Sequence, residues 1–117
     1  NLYQSKARDT LAIHGHTTLA MVYNYEPIPD TIKTMGMSHR IMGAQGNVWT
    51  EYLPNWKRVE YMIFPRMTAL SEVLWSDSDK KNYPDFVRRL KSNAVPRYHY
   101  WGSSYFKNFE KPDVDKR

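Results

Sequence analysis

The segment from Trp56 to Trp75 restricts the possible folds of this chain more than any other segment. Its apolar residues recur at helical spacing and would form one broad stripe, but Pro65 interrupts the pattern. Proline is tolerated best in the first turn of a helix, where its missing N–H costs least. We therefore predict one helix that ends near Phe64 and a second that has Pro65 in its first turn. The stripe is typical of core packing rather than of a cofactor site, and it consists of Val59, Met62, Ile63, Met67, Leu70, Val73 and Leu74.

Shorter elements are predicted on both sides of this segment. Thr17 or Thr18 can cap a helix over residues 19–23, which the prolines that follow would end. Residues 39–42 are predicted to form a short strand, and a last helix is expected over residues 84–92. From residue 93 onward the sequence is rich in aromatic residues but has no clear period. A strand followed by a helix is the repeating unit of an α/β barrel.

Residues 42–51 contain the best candidate for a binding site. In an extended segment, side chains two residues apart point to the same side, so Trp49 and Glu51 would face one space. Gly43 and Gly46 would permit unusual backbone angles and close approach where a strand opens into a loop. An indole face beside a carboxylate suits a sugar ring, whose hydroxyls can donate to the acid. On spacing alone, however, a buried Trp and a surface Glu without a ligand are the commoner explanation.

Length and composition exclude several classes of protein. The 117 residues suffice for one domain, and no apolar run is long enough to span a bilayer. Without cysteine there is no disulfide, no thiolate metal site and no thiol nucleophile. His14 and His16 lack further ligands nearby, so we predict neither a metal nor another cofactor. Because the chain opens on a polar segment without Met, we expect a processed, engineered or partial product.

The excess of positive over negative charge lies entirely in the second half of the chain. Residues 57–117 carry thirteen basic and eight acidic side chains, whereas residues 1–56 carry four of each. Basic residues interleaved with aromatic ones could bind single-stranded nucleic acid. No nucleic-acid motif with its own spacing is present, so we favour a solvated helix followed by an aromatic tail packed on the fold. The residues concerned are Arg88, Arg89, Lys91, Arg97 and Lys107 among Tyr98, Tyr100, Trp101, Tyr105 and Phe106.

Two long motifs resemble one enzyme family. Residues 43–52 read GAQGNVWTEY, and residues 60–76 read EYMIFPRMTALSEVLWS. In this order and at this separation they resemble the C-terminal part of the catalytic barrel of glycoside hydrolase family 20, the β-N-acetylhexosaminidases, most closely the Bacteroidetes type. Residues 2–5 and 22–29 extend the resemblance upstream, to cover roughly residues 1–92. The resemblance implies an α/β fold, the C-terminal portion of a TIM (β/α)8 barrel, mostly helical by content, with strand eight and helices seven and eight.

The resemblance also assigns roles to the site residues. Trp49 matches the Trp that walls the terminal N-acetylhexosamine, and Glu51 matches the Glu that accepts hydrogen bonds from its outer hydroxyls. This makes a sugar site at the carboxyl end of the strand the favoured interpretation. Arg66 and Glu72 match positions that we interpret as structural, because charges within an apolar helix are usually paired.

The family's catalytic carboxylates have no match here. Family 20 enzymes use the substrate's own acetamido group as nucleophile, with an adjacent Asp-Glu pair to orient it and to protonate the leaving group. No adjacent Asp-Glu pair occurs in these 117 residues, so the chain alone is expected to be inactive. It would be part of an enzyme that hydrolyses terminal β-linked GlcNAc or GalNAc, and its partners would be such glycans and the missing N-terminal part of the barrel.

Other expectations complete this interpretation. Residues 1–92 would belong to the barrel and residues 93–117 would be a C-terminal extension. Relatives imply a periplasmic or extracellular location. Two alternatives from other classes stay open: a non-catalytic carbohydrate-binding module that uses Trp49 and Glu51, and a basic single-stranded nucleic-acid binder that uses residues 86–107.

Overall fold

The computed structural model describes residues 2–5 and 13–110, which form a mostly helical structure. The described elements are, in chain order, β1 (Leu2–Tyr3), β2 (Ile13–His16), α1 (Leu19–Tyr23), α2 (Asp30–Thr34), a 3-10 turn (Ser38–Arg40), α3 (Trp56–Ile63), α4 (Arg66–Trp75), a second 3-10 turn (Ser78–Lys80), α5 (Tyr83–Arg89), a π-helical turn (Leu90–Ala94) and α6 (Val95–Tyr100). β1 and β2 pair in parallel. Among the described residues, no helix has both the length and the apolarity required to cross a membrane.

The predicted break at Pro65 is confirmed. α3 ends at Ile63 with Phe64 as its C-cap, and Pro65 is the N-cap of α4 rather than a residue of its first turn. At the other end of α3, the side chain of Asn55 accepts a hydrogen bond from the backbone N–H of Arg58 at 3.0 Å. Capping of this kind satisfies an N–H that has no partner within the helix. Local sequence signals therefore set both ends of α3.

Only some residues of the predicted apolar stripe lie in the observed core. Met62 and Val73 are buried, but Met67 and Leu74 are 36% and 38% exposed. On α4 the buried positions are Ala69 and Val73, four residues apart. The reason is the break at Pro65, because a new helix starts with its own rotation about its axis and the stripe of α3 does not continue into it.

The core forms where α1 and the segment from α5 to α6 pack against α4. Tyr23 of α1 stacks on Phe86 of α5 with ring centroids 4.7 Å apart. Phe64 lies against Tyr98 of α6, with centroids 4.8 Å apart. The helix predicted over residues 19–23 is confirmed, since Thr18 caps it by accepting a hydrogen bond from the N–H of Met21. The core cluster consists of Leu19, Tyr23, Ala69, Val73, Phe86, Leu90 and Tyr98.

One sequence prediction about secondary structure is wrong, and a second is confirmed except for the ends of the helix. Residues 39–42 do not form a strand: Ser38–Arg40 is a 3-10 turn and residues 41–50 have no regular structure. A strand requires hydrogen bonds to a neighbouring strand, and within the described residues none pairs with this segment. The helix predicted over residues 84–92 begins at Tyr83 and continues through the π-helical turn into α6. Residues after 93 are therefore helical up to Tyr100, despite their lack of a sequence period.

The predicted boundary between residues 92 and 93 is not tested by this geometry and stays a prediction. The π-helical turn spans it, and Tyr98 lies in the same core cluster as Val73. Residues 111–117 of the predicted extension lie outside the described residues.

Candidate functional site

The segment that carries the predicted site lies against α3 and α4. A Cβ added to Gly46 would be 3.6 Å from Leu70 Cδ2 and 3.8 Å from Met67 Cε, which are ordinary contact distances. A cavity of about 210 Å³ separates residues 46–48 from Val22, Met62 and other apolar side chains. The segment thus approaches α4 closely, but the space beside residue 46 would still accept a Cβ, so close packing does not require glycine at this position. Gly43 has a positive φ of 158°, which residues with a side chain rarely adopt, although nothing lies within 4 Å of an added Cβ.

The start of a turn separates Trp49 from Glu51. Residues 41–50 have no regular secondary structure, and a turn follows in which the N–H of Leu53 donates to the carbonyl oxygen of Thr50 at 3.0 Å. Glu51 is inside this turn, whereas Trp49 precedes it. The alternation predicted for an extended segment therefore stops between the two residues. Both side chains are exposed, and the Trp49 side chain is 56% exposed.

Glu51 faces an open hollow of about 830 Å³, which we call the Glu51 hollow. It lies between the turn at residues 50–55, the start of α3 and Ser104. Trp49 is not among the described residues that line it. The structure thus places the two predicted residues near one another in the chain but does not bring them into one described cavity. Their assignment as a sugar-binding pair stays a prediction.

The wall of the Glu51 hollow combines aromatic and polar groups. The guanidinium carbon of Arg58 lies 4.6 Å from the centroid of the Tyr61 ring, which is a cation–π arrangement. Tyr61 is held in turn by an edge-to-face contact with Phe106, with centroids 5.7 Å apart. Together with Glu51, these residues give the wall aromatic, cationic and acidic side chains, which are the kinds of group that contact polyhydroxylated ligands.

The C-terminal segment contributes Ser104 to this hollow, and Ser104 is held by Glu60 of α3, a residue that the sequence analysis did not single out. The hydroxyl of Ser103 donates to Glu60 Oε1 and the backbone N–H of Ser104 donates to Glu60 Oε2, both at 3.0 Å. The N–H of Phe106 also donates to the carbonyl oxygen of Phe64 at 3.0 Å. The contacts join residues more than 40 positions apart, so no local sequence signal could have indicated them.

Arg66 and Glu72 both have hydrogen-bond partners, and Glu72 is paired with a cation, as predicted for a charge within an apolar helix. Arg66 donates to the carbonyl oxygens of Met62, at 2.6 and 3.2 Å, and of Thr17, at 3.2 Å. Glu72 accepts two hydrogen bonds from Arg89, at 2.6 and 2.7 Å, and a third from the Tyr23 hydroxyl at 3.2 Å. Burial raises the pKa of the Tyr23 hydroxyl above its ordinary value, and the adjacent Glu72 adds to this effect. These contacts fasten α1, α4 and α5 together.

The basic aromatic region is largely engaged in packing and ion pairs. Tyr98 and Phe106 are 2% and 6% exposed. Arg88 and Arg89 pair with Asp85, and Lys91 pairs with Glu110. These residues therefore do not form one continuous surface of free cations and rings, which single-stranded nucleic acid would require.

The comparisons with known proteins identify the family. The catalytic-domain model of glycosyl hydrolase family 20 matches residues 1–78. The chain is 39% identical over 98 residues to a β-hexosaminidase of Porphyromonas gingivalis, covering 83% of this chain and 12% of the relative. It is 28% identical over 100 residues to a β-N-acetylhexosaminidase of Cellulomonas fimi, covering 86% and 19%. A β-hexosaminidase of Vibrio furnissii is 40% identical over 57 residues, covering 49% and 9%. The chain therefore belongs to glycosyl hydrolase family 20, and it spans less than a fifth of the length of these relatives.

Proposed function

We propose that these 117 residues are the C-terminal part of the catalytic barrel of a β-N-acetylhexosaminidase. The proposed enzyme hydrolyses terminal, non-reducing β-linked N-acetylhexosamine, GlcNAc or GalNAc. The observation that carries the proposal is the match of residues 1–78 to the family's catalytic domain. The names of the three relatives, all hexosaminidases, support the same activity.

In the proposed barrel, residues 43–51 supply strand eight and its loop, and α3 and α4 together supply helix eight. The irregular backbone at residues 41–50 is what an isolated barrel strand would have, because parallel strands are stable only beside their neighbours. The missing N-terminal part of the barrel is therefore the principal partner of this chain. Exposed apolar groups such as Met42, fully exposed at 101%, would be covered by it.

The proposed mechanism is substrate-assisted retention. The acetamido oxygen of the substrate attacks the anomeric carbon, which forms an oxazolinium intermediate and breaks the glycosidic bond. An acid protonates the departing oxygen, and water later opens the intermediate with retention of configuration. The Asp-Glu pair for these steps would come from the missing part, because the present sequence contains no adjacent Asp-Glu.

The proposed role of Trp49 and Glu51 is to hold the terminal sugar. The indole of Trp49 would pack against the C–H face of the ring, and Glu51 would accept hydrogen bonds from the outer hydroxyls. Such contacts accelerate hydrolysis if they are stronger in the distorted transition state than in the ground state. A periplasmic or cell-surface location, where glycan ends are accessible, is part of the proposal.

A chimeric enzyme tests this proposal. Residues 1–110 would replace the matching segment of the Porphyromonas gingivalis β-hexosaminidase, so that the contact between Glu60 and Ser104 is retained. We expect the chimera to hydrolyse a chromogenic β-N-acetylglucosaminide and the isolated 117-residue chain to show no turnover. Turnover by the pure isolated chain would contradict the proposed division of catalytic residues. Sugar binding through Trp49 and Glu51 in a folded but inactive chimera would instead favour a carbohydrate-binding module.

Substitutions in the chimera test the two site residues. Glu51→Gln and Trp49→Ala should each lower kcat/KM by roughly tenfold to a hundredfold, since each removes a contact to the sugar. Trp49→Phe should lose less, because it keeps an aromatic face. The control Asp79→Asn removes an exposed carboxylate outside the hollow and should leave kcat/KM unchanged. Unchanged kinetics in the Trp49 and Glu51 variants would refute the site assignment.

A further inference from the structure

A second concave surface lies between α4 and the segment from the π-helical turn to the end of α6. It has a volume of about 590 Å³, and Phe86, Leu90 and Tyr98 form its buried floor. It shares no lining residue with the Glu51 hollow. We call it the α4–α6 groove, and its rim includes Thr68, Ser71, Asn93, Arg97 and Trp101.

Trp101 provides a large aromatic surface at this rim. It is the C-cap of α6, where its backbone N–H donates to the carbonyl oxygen of Arg97 at 2.9 Å. Its side chain is nevertheless 60% exposed. Arg97 precedes Trp101 by four residues, so both side chains project from the same face of the helix. An accessible indole beside a guanidinium is therefore part of the groove.

Polar groups on the rim are available to a ligand. Within residues 2–5 and 13–110, the side chains of Arg97 and Asn93 make no hydrogen bond or ion pair with another side chain or with the backbone. Ser71 uses its hydroxyl proton to donate to the carbonyl oxygen of Met67 at 2.9 Å, so its oxygen can still accept. A guanidinium, an amide and a hydroxyl oxygen thus line the same groove as the Trp101 ring, and each can exchange hydrogen bonds with a bound molecule.

The charge of the groove favours a neutral ligand over a polyanion. Of its charged lining residues, Glu72 and Arg89 neutralise each other through two hydrogen bonds at 2.6 and 2.7 Å. Arg97 alone is left as an unpaired cation among the described lining residues. Nucleic-acid binding depends on several cations that neutralise successive phosphates, and this groove supplies one.

We propose that the α4–α6 groove is a second saccharide-binding site, separate from the site around Glu51. A pyranose ring packs its C–H face on the Trp101 indole, while its hydroxyl and ring oxygens accept hydrogen bonds from Arg97 and Asn93. A sugar hydroxyl donates to the oxygen of Ser71. The site binds without catalysis, and it does not depend on the function proposed above for residues 42–51.

Fluorescence anisotropy of a labelled, thio-linked trimer of β-1,4-N-acetylglucosamine tests this proposal, because the thio linkage resists hydrolysis. The probe is titrated with the 117-residue chain, whose helical content is checked by circular dichroism on the same sample. Trp101→Ala and Arg97→Gln should each raise Kd by roughly tenfold or more, as expected for the loss of a central aromatic or arginine contact. The control Tyr100→Ala removes a neighbouring ring that is 88% exposed and does not line the groove, and it should leave Kd unchanged.

The same titration in the chimera of residues 1–110 separates this site from the catalytic one and covers the case of an unstable isolated chain. In a chimera that also carries Trp49→Ala to weaken the catalytic sugar site, Trp101→Ala should weaken binding of the trimer. In the otherwise unchanged chimera, Trp101→Ala should leave kcat/KM for a small chromogenic substrate unchanged. Equal affinity of wild type, Trp101→Ala and Arg97→Gln would overturn the proposal, as would no binding by a folded protein. Tighter, salt-sensitive binding of a labelled oligothymidylate would overturn it in favour of nucleic acid.

Discussion

Arg89 is the residue whose replacement tests the packing of the three helices most directly. Its guanidinium donates to both oxygens of Glu72, at 2.6 and 2.7 Å, and to Asp85 Oδ2 at 2.7 Å. These ion pairs hold the pKa of Arg89 above its ordinary value, with the hydrogen bonds to Glu72 as the largest cause. The substitution Arg89→Met keeps much of the aliphatic stem but removes all three hydrogen bonds. Among the residues that the structure describes, Glu72 then keeps only the hydrogen bond from the Tyr23 hydroxyl, at 3.2 Å.

The expected loss of stability follows from the exposure of the two partners. Exposed ion pairs contribute about 0–1 kcal/mol, whereas removal of one member of a fully buried pair costs about 3–5 kcal/mol. The side chains of Arg89 and Glu72 are 39% and 18% exposed, which places this pair between the two cases. We therefore expect Arg89→Met to lower the free energy of unfolding by about 2 kcal/mol. With an m-value of about 2 kcal/mol/M, the urea midpoint falls by about 1 M.

Urea denaturation followed by circular dichroism measures this change. The matched control is Arg88→Met, since Arg88 is the neighbouring residue, is 70% exposed and pairs only with Asp85 among the described residues. Its expected cost is below about 0.5 kcal/mol. The double variant Glu72→Met/Arg89→Met should lose less than the sum of the two single variants, because no unpaired carboxylate is left. Equal midpoints for Arg88→Met and Arg89→Met would refute this reasoning.

Further predictions concern the core and the effect of pH. Phe86→Ala should lower the free energy of unfolding by about 3–5 kcal/mol, because Phe86 is 1% exposed and stacks on Tyr23. The control Pro84→Ala replaces an exposed residue of the same helix and should lower the free energy of unfolding far less in the same urea experiment. Hydrogen bonds from Arg89 and then from Arg88 hold the pKa of Asp85 below its ordinary value. A carboxylate with a lowered pKa stabilises the fold above its unfolded pKa of about 3.9, and this stability is lost as pH falls through the folded value. Asp85→Asn should therefore reduce the loss of stability below about pH 4 in acid titrations, and an unchanged acid transition would contradict this account.

The helices show what local sequence can predict. The end of α3 and the start of α4 follow from the chemistry of Pro65, and the start of α1 follows from the capping side chain of Thr18. These signals act over four residues or fewer, so they can be read directly from the chain. The buried face of α4 could not be read in this way, because it depends on how the helix is rotated against α1 and Phe86.

The predicted site shows the limit of the same approach. The side-by-side placement of Trp49 and Glu51 assumed an extended segment, but a turn begins at Thr50. A strand is defined by hydrogen bonds to residues elsewhere in the chain, so an apolar run followed by glycines cannot by itself establish one. The structure also adds Ser104 to the candidate site, through a contact with Glu60 that spans 44 residues.

By itself the sequence determined the family, through motifs over residues 43–52 and 60–76, and the positions at which most helices begin or end. It also determined that the adjacent Asp-Glu pair of the family mechanism is not in these 117 residues. Only the tertiary structure decided which face of α4 is buried, how Arg89 joins α4 to α5, and that the C-terminal segment reaches Glu60. The physical reason is that motifs and helix ends depend on neighbours along the chain, whereas burial and ion pairing depend on residues that only folding brings together.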